Sequence, residues 1–122
     1  MIISSCNNNK NVPNTDIDVA RGFIRDILDN DFADAQPLML PDDTNKQYFD
    51  VAQKKFNAMS ADELANYKNA DIVVNEISNV NDSVTIVNYS NTYKPKSPDK
   101  VKVVRVNGKW MVDLKYTFSG NM

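Results

Sequence analysis

Histidine is absent from this chain. Without it the commonest general base is missing. So are the Ser–His and Cys–His nucleophile pairs, and most zinc sites are closed. There is one cysteine, Cys6, which excludes an intramolecular disulfide and a Cys-x-x-Cys metal knuckle. No run of about 18 consecutive apolar residues occurs, so no stretch reads as a membrane-spanning helix. Positive charge is not in excess either. Lys and Arg total 14 against 16 Asp and Glu, a formal net charge of −2. Nucleic-acid binding driven by overall charge is thereby excluded. Hydrolysis by paired carboxylates remains open in principle, since Asp and Glu total 16.

What is present fits a single domain. A chain of 122 residues can bury one core. Hydrophobic residues at 42% and charged residues at 25% are the composition of an ordinary globular protein. Charge is unevenly spread. Residues 1–93 carry seven Lys/Arg against fourteen Asp/Glu, whereas residues 94–122 carry seven against two. The basic end reads as a solvated sheet face and loop. The sharper alternative is a patch for an acidic partner or lipid headgroups.

Helical signals come first along the chain. Thr15 followed by Asp18 forms a capping box with Asp in the place usual for Glu. Ile17, Ala20, Phe23, Ile24, Ile27 and Leu28 then recur at three and four, one apolar stripe. Asp29-Asn30-Asp31 stops this helix. Phe32, Ala35, Leu38 and Met39 point to a second, shorter helix made imperfect by Pro37, which removes an amide donor. A third helix starts at Pro41-Asp42-Asp43-Thr44, with Tyr48, Phe49, Ala52, Phe56 and Met59 on its apolar face. Ser60 with Glu63 caps a short fourth through Leu64 and Tyr67.

From Ala70 the period falls to two, the spacing of strands. Residues 72–77 alternate, and residues 79–82 read as a turn. Residues 83–93 form a long strand with Val84 and Ile86 on one face and Thr85, Val87, Tyr89, Asn91 and Tyr93 on the other. The second of these faces, with Asn91 and Thr85 on it, reads as wet or partner-facing. Residues 101–106 make a third strand. Asn107-Gly108 is a strong hairpin signal, because both residues tolerate positive φ. The fourth strand is expected to run from Trp110 through Val112, Leu114 and Tyr116 to Phe118. On it Asp113, like Asp71, is expected to be an ordinary exposed strand residue. Helices first and closely spaced strands after imply an α+β fold with an antiparallel meander, helices covering one face of a curved four-stranded sheet.

Position six carries the most specific functional signal. Ile3-Ser4-Ser5-Cys6 resembles the lipobox of bacterial lipoprotein precursors. In that family the thiol receives a diacylglyceryl group and the leader is cut just before the cysteine. Two or three acyl chains anchor stably where one would be marginal. Residues 7–14, polar and without periodicity, fit a tether. The expected organisation is a signal-peptide remnant, lipobox and tether over 1–14, a single domain over 15–118, and a tail over 119–122. Asn81-Asp82-Ser83 and Asn88-Tyr89-Ser90 match N-glycosylation acceptors, which carry no meaning in a bacterial lipoprotein.

Three further stretches extend the resemblance. They are Asp18-Val19-Ala20-Arg21-Gly22-Phe23, Leu28-Asp29-Asn30-Asp31-Phe32-Ala33-Asp34-Ala35, and Val106-Asn107-Gly108-Lys109-Trp110-Met111-Val112-Asp113. With them residues 15–118 resemble small lipoproteins of the Bacteroides group that carry an NTF2-like (cystatin-like) domain. The resemblance implies a cone: a bent sheet around a long helix, with room for a pocket between them. It implies a Gram-negative cell-envelope location, with the membrane reached through Cys6. The family's Asp–His catalytic pair cannot be placed here, and no other catalytic residue, metal or cofactor is assigned. Tyr48, Tyr67, Tyr89, Tyr93, Trp110 and Tyr116 are the candidate pocket walls, since aromatic bodies with polar tips orient ligands. Phe49 and Trp110 also read as core. The expected function is non-enzymatic binding of a small apolar ligand or of an envelope protein. The alternatives are a ligand-free module that dimerises through its sheet, and an enzyme using a lone carboxylate with tyrosine.

Overall fold

The structure, a computed structural model, describes residues 15–119. Cys6, the lipobox and the tether of residues 7–14 lie outside the described residues, as do residues 120–122 of the expected tail. No helix among the described residues is long and apolar enough to cross a membrane.

Helix α1 (Asp16–Leu28) begins where the capping box predicts. The Thr15 hydroxyl accepts the Asp18 amide at 3.1 Å, and Asp16 and Asp18 sit in the first turn, where the helix dipole favours negative charge. It buries Val19, Ala20, Phe23, Ile24 and Leu28 on one side. Asn30 at φ 59° turns the chain away. Helix α2 (Phe32–Ala35) is a single turn that tightens into a 3₁₀ turn at Gln36–Leu38, which carries Pro37 near its start. Met39 then leaves the helical path. It bridges Val112 in parallel, and the Leu40 amide donates to the Val112 carbonyl at 2.9 Å. Helices α3 (Asp43–Asn57) and α4 (Ala61–Lys68) are capped by Asp42 and Ser60.

Four strands follow: β1 (Ile72–Asn81), β2 (Val84–Asn91), β3 (Asp99–Val106) and β4 (Lys109–Val112). They form an antiparallel sheet in chain order, so the fold is α+β with a meander. Asn107 (φ 53°) and Gly108 (φ 77°) make the predicted hairpin between β3 and β4. Thr85, Val87, Val101, Val103 and Val112 are buried on the sheet face that α1 crosses. Phe32 packs edge-on against Phe49 at 5.2 Å and Phe56 at 5.7 Å, joining α2 to α3 in the same core. At the start of α1, the Thr85 hydroxyl donates to Asp16 at 2.7 Å, tying helix to sheet.

Arg25 holds a second joint. Its guanidinium donates to the carbonyls of Tyr67, Lys68 and Ala70 at 3.3, 2.9 and 2.7 Å, and pairs with Asp29 at 2.9 Å. Helix ends leave carbonyls short of donors; here the Lys68 carbonyl gains one, and that of Tyr67, which accepts the Ala70 amide, gains a second. A cation reaching across from α1 supplies them and suits the negative end of the α4 dipole.

Four expectations are corrected. First, the fourth strand ends at Val112, and residues 114–118 lie in helix α5 (Leu114–Ser119). Alternation alone permitted a strand, but Asn45 of α3, fully buried, decides otherwise. Its carbonyl oxygen accepts the Lys115 amide at 2.6 Å and its amide donates to Asp113 at 3.1 Å. A straight strand would forgo these contacts and strand a buried polar side chain. Helix α5 then lies along β3, where the Thr117 hydroxyl donates to the Lys100 carbonyl at 2.6 Å.

Second, Asp113 is buried rather than exposed. Lys115 Nζ donates to it at 2.7 Å, and Lys102 lies at 4.0 Å. The hydrogen bond that Lys115 donates to Asp113 raises the Lys115 pKa. Asp71 is exposed, as expected, though it precedes β1 instead of lying in it. Third, β1 runs on through residues 79–81, because Asn79 pairs with Thr85 and Asn81 with Val84. The turn shrinks to residues 82–83. A bulge between Val74 and Glu76 leaves Asn75 without a ladder partner. Fourth, the face of β2 that bears Thr85, Val87 and Tyr89 is the inner one: Thr85 and Val87 are buried in the core, while Tyr89 and Asn91 farther along are half-buried.

Candidate functional site

A half-open cavity of about 470 Å³ lies at the C-terminal end of α1, within the size range of small-molecule sites. Its apolar floor comes from α1 and the sheet: Phe23, Ile24, Ile27, Leu28 and Val101. These are inner-face residues of elements already built for the core. Helix α3 contributes Ala52, Lys55, Phe56 and Met59 to one wall, and α5 contributes Leu114, Thr117 and Phe118 to another. Two large apolar side chains of the lining remain open to water, Val51 at 57% and Phe118 at 45% exposed. Exposed apolar surface inside a concavity is what a ligand would cover.

The remaining wall is the loop between β2 and β3, and hydrogen bonds fix its path. The Asn91 side chain accepts the amides of Tyr93 at 3.0 Å and Lys94 at 2.8 Å, an Asx turn. The Ser97 amide donates back to the Lys94 carbonyl at 3.1 Å. The Thr92 hydroxyl receives the Asp71 amide at 2.8 Å, pinning the loop to the start of β1. Lys94 and Ser97 thereby face the cavity.

Polar chemistry concentrates on one cross-strand pair. Tyr89 of β2 and Asp99 of β3 stand directly opposite each other, and both line the cavity. Burial, with the Asp99 charge adding to it, raises the Tyr89 pKa well above the usual phenol range, so this hydroxyl stays protonated. Asp99 as a residue remains open to water, yet partial burial of its carboxylate raises its pKa. The Lys100 amide, which donates to its Oδ1 at 3.0 Å, and nearby Lys55 oppose that rise. Asp99 is the one carboxylate in the lining, while Lys55 and Lys94 are its two cations.

Of the six aromatic candidates, the cavity gathers Tyr67 and Tyr89. Tyr93 stands behind, its ring edge-on to Tyr67 at 4.9 Å. Tyr48 stacks on the lining residue Phe118 at 4.8 Å. Trp110 and Tyr116 lie elsewhere, close to Arg105 at 5.9 Å and Lys102 at 5.7 Å respectively. Asp99, Lys55 and Lys94 were not foreseen. The signal for Asp99 was its place just after Pro98, opposite Tyr89 once the two strands are aligned.

A second cluster sits at the turn after α1. Asp26, Asp31 and Asp34 each bring one oxygen within 4.8 Å of the others. Partial burial and repulsion from Asp31, Asp34 and Asp29 push the Asp26 pKa up to about 6, against a smaller opposing pull from Arg25. A side-chain hydrogen bond with Asp31 raises Asp34 as well. Exposed acidic groups of this kind are common without an ion, and we assign none.

Comparison with family models, with curated proteins and with solved structures finds no match to this chain.

Proposed function

We propose that this chain is a non-enzymatic binding domain of NTF2-like (cystatin-like) architecture. It takes a small, largely apolar ligand and is held at a bacterial cell envelope by a lipid on Cys6. One observation carries the binding reading: a half-open, apolar-floored cavity with a single convergent polar pair. Support for the architecture comes from a long helix laid across one face of an antiparallel sheet, with the cavity at the helix end. Support for the anchor is Ile3-Ser4-Ser5-Cys6 followed by a polar stretch. Binding is favoured over catalysis because the chain has no histidine and Asp99, which faces Tyr89 in the lining, stays open to water.

A second reading has its own observation. The sheet face turned away from α1 carries Val84, Ile86, Val104 and Met111, all half-buried, and Val73 on β1 is 40% exposed. An association module, including a homodimer through the sheet, would use that face.

Native mass spectrometry of the protein isolated from its own host membrane tests these readings together. A lipid-sized mass on Cys6 with a discrete small adduct supports anchored binding, and the adduct should vanish in Ala52→Phe, which fills the cavity. A bare Cys6 removes the anchor. A second protein or second copy in place of the adduct favours association.

A further inference from the structure

We infer that the cavity reads an alcohol: an apolar molecule that presents one hydroxyl group to Tyr89 and Asp99. This rests on the binding function proposed above and names the chemical class of its ligand.

The inference starts from hydrogen-bonding capacity. Among the described residues no group hydrogen-bonds the Tyr89 hydroxyl. Among the described residues no buried side-chain polar atom lacks a partner either, so that hydroxyl keeps some access to solvent, and Tyr89 lines the cavity. Tyr89 therefore offers a donor that nothing in the protein uses. Asp99 spends Oδ1 on the Lys100 amide at 3.0 Å and keeps Oδ2 as an acceptor. The two groups face each other across the β2–β3 ladder, where opposed side chains have Cβ atoms about 5 Å apart. One donor beside one acceptor matches a hydroxyl, which accepts from the first and donates to the second.

Charge excludes the alternatives. A carboxylate head cannot donate, and Asp99 repels it. An ammonium head can bond Asp99, but it leaves the Tyr89 donor unused and meets Lys55 and Lys94 on the lining. An ether or ester head accepts a hydrogen bond from Tyr89 but leaves Asp99 without a donor. A neutral group with both capacities satisfies the pair, a hydroxyl being the smallest, and unmet polar groups are what such sites reject.

The test compares two isomers of equal size, 1-decanol and 1-methoxynonane, with decanoate as a third probe. Binding is followed by amide chemical-shift titration of the folded protein. The expected result is that decanol binds roughly ten-fold more tightly than the ether, the usual worth of a hydrogen bond to a charged group. Asp99→Ala should bring the two isomers to equal affinity, whereas Tyr89→Phe should weaken both. Both variants keep the ladder, and their amide spectra report folding directly. Equal binding of the two isomers to the unaltered protein overturns the alcohol inference and leaves the binding function standing. Tighter binding of decanoate also overturns it, assigning recognition to the lysines. If none of the three shifts the cavity amides, the binding function falls as well.

Discussion

Asn45→Ala is the substitution that most directly tests how the second half of the chain is held. The side chain is fully buried. It donates to Asp42 at 2.9 Å and Asp113 at 3.1 Å, and accepts the Lys115 amide at 2.6 Å. Each hydrogen bond contributes about 1 kcal/mol net, and a partner left unsatisfied costs about 1–3 kcal/mol more. Asp113 keeps Lys115 Nζ, so the heavier penalty falls on the Lys115 amide at the start of α5. Removing the buried amide of Asn45 itself offsets part of the loss. The net expectation is a loss of about 3 kcal/mol. With a urea m-value near ~1.5 kcal/mol per M, the unfolding midpoint should fall by about 2 M. Equilibrium urea unfolding by circular dichroism measures it. Asn45→Asp sharpens the test: it keeps the acceptor for Lys115 but sets a third carboxylate beside Asp42 and Asp113. Its deficit should be larger at neutral than at acid pH. A loss below ~1 kcal/mol for Asn45→Ala would refute the view that this residue directs the chain into α5.

Further outcomes are expected elsewhere. Asp26 has a folded pKa of about 6, above its ordinary 3.8, so the folded state holds the extra proton and stability falls as pH rises from about 4 to 6. Asp26→Asn should remove that slope in pH-dependent melting and raise neutral-pH stability by less than ~1 kcal/mol, because the group is largely solvent-screened. Gly108→Ala meets no atom within 4 Å, so its cost is the left-handed backbone alone, about 1 kcal/mol in urea unfolding. Arg25→Gln should cost about 1–2 kcal/mol, and hydrogen exchange should show the end of α4 fraying.

Local chemistry was legible in the sequence. The Thr15 and Ser60 caps, the stop after α1 and the Asn107-Gly108 turn all depend on residues within a few positions of one another. What escaped depends on distant partners. Nothing local separates a strand from a helix over residues 114–118, because the deciding group is Asn45, on another element. Asp113 read as exposed for the same reason: its donors arrive from α3 and β3 as well as from Lys115. In the site, tyrosines advertise themselves by type, so Tyr67 and Tyr89 could be nominated. Asp99 could not, since its meaning comes only from standing opposite Tyr89.

The polar stitches between the helical half and the sheet half also bear on how the chain finds its fold. Asn45 meets Asp113 across 68 positions and Lys115 across 70, and Asp16 meets Thr85 across 69. The hairpins of the sheet, by contrast, close over two residues at 82–83 and 107–108 and over the loop 92–98. Contacts so far apart in sequence repay the entropy of loop closure late. The meander and individual helices should therefore form early, with docking of the halves as the slow step and the Asn45 contacts made after the barrier. On that view Asn45→Ala accelerates unfolding and leaves the refolding rate nearly unchanged, a division that stopped-flow chevron analysis reads directly.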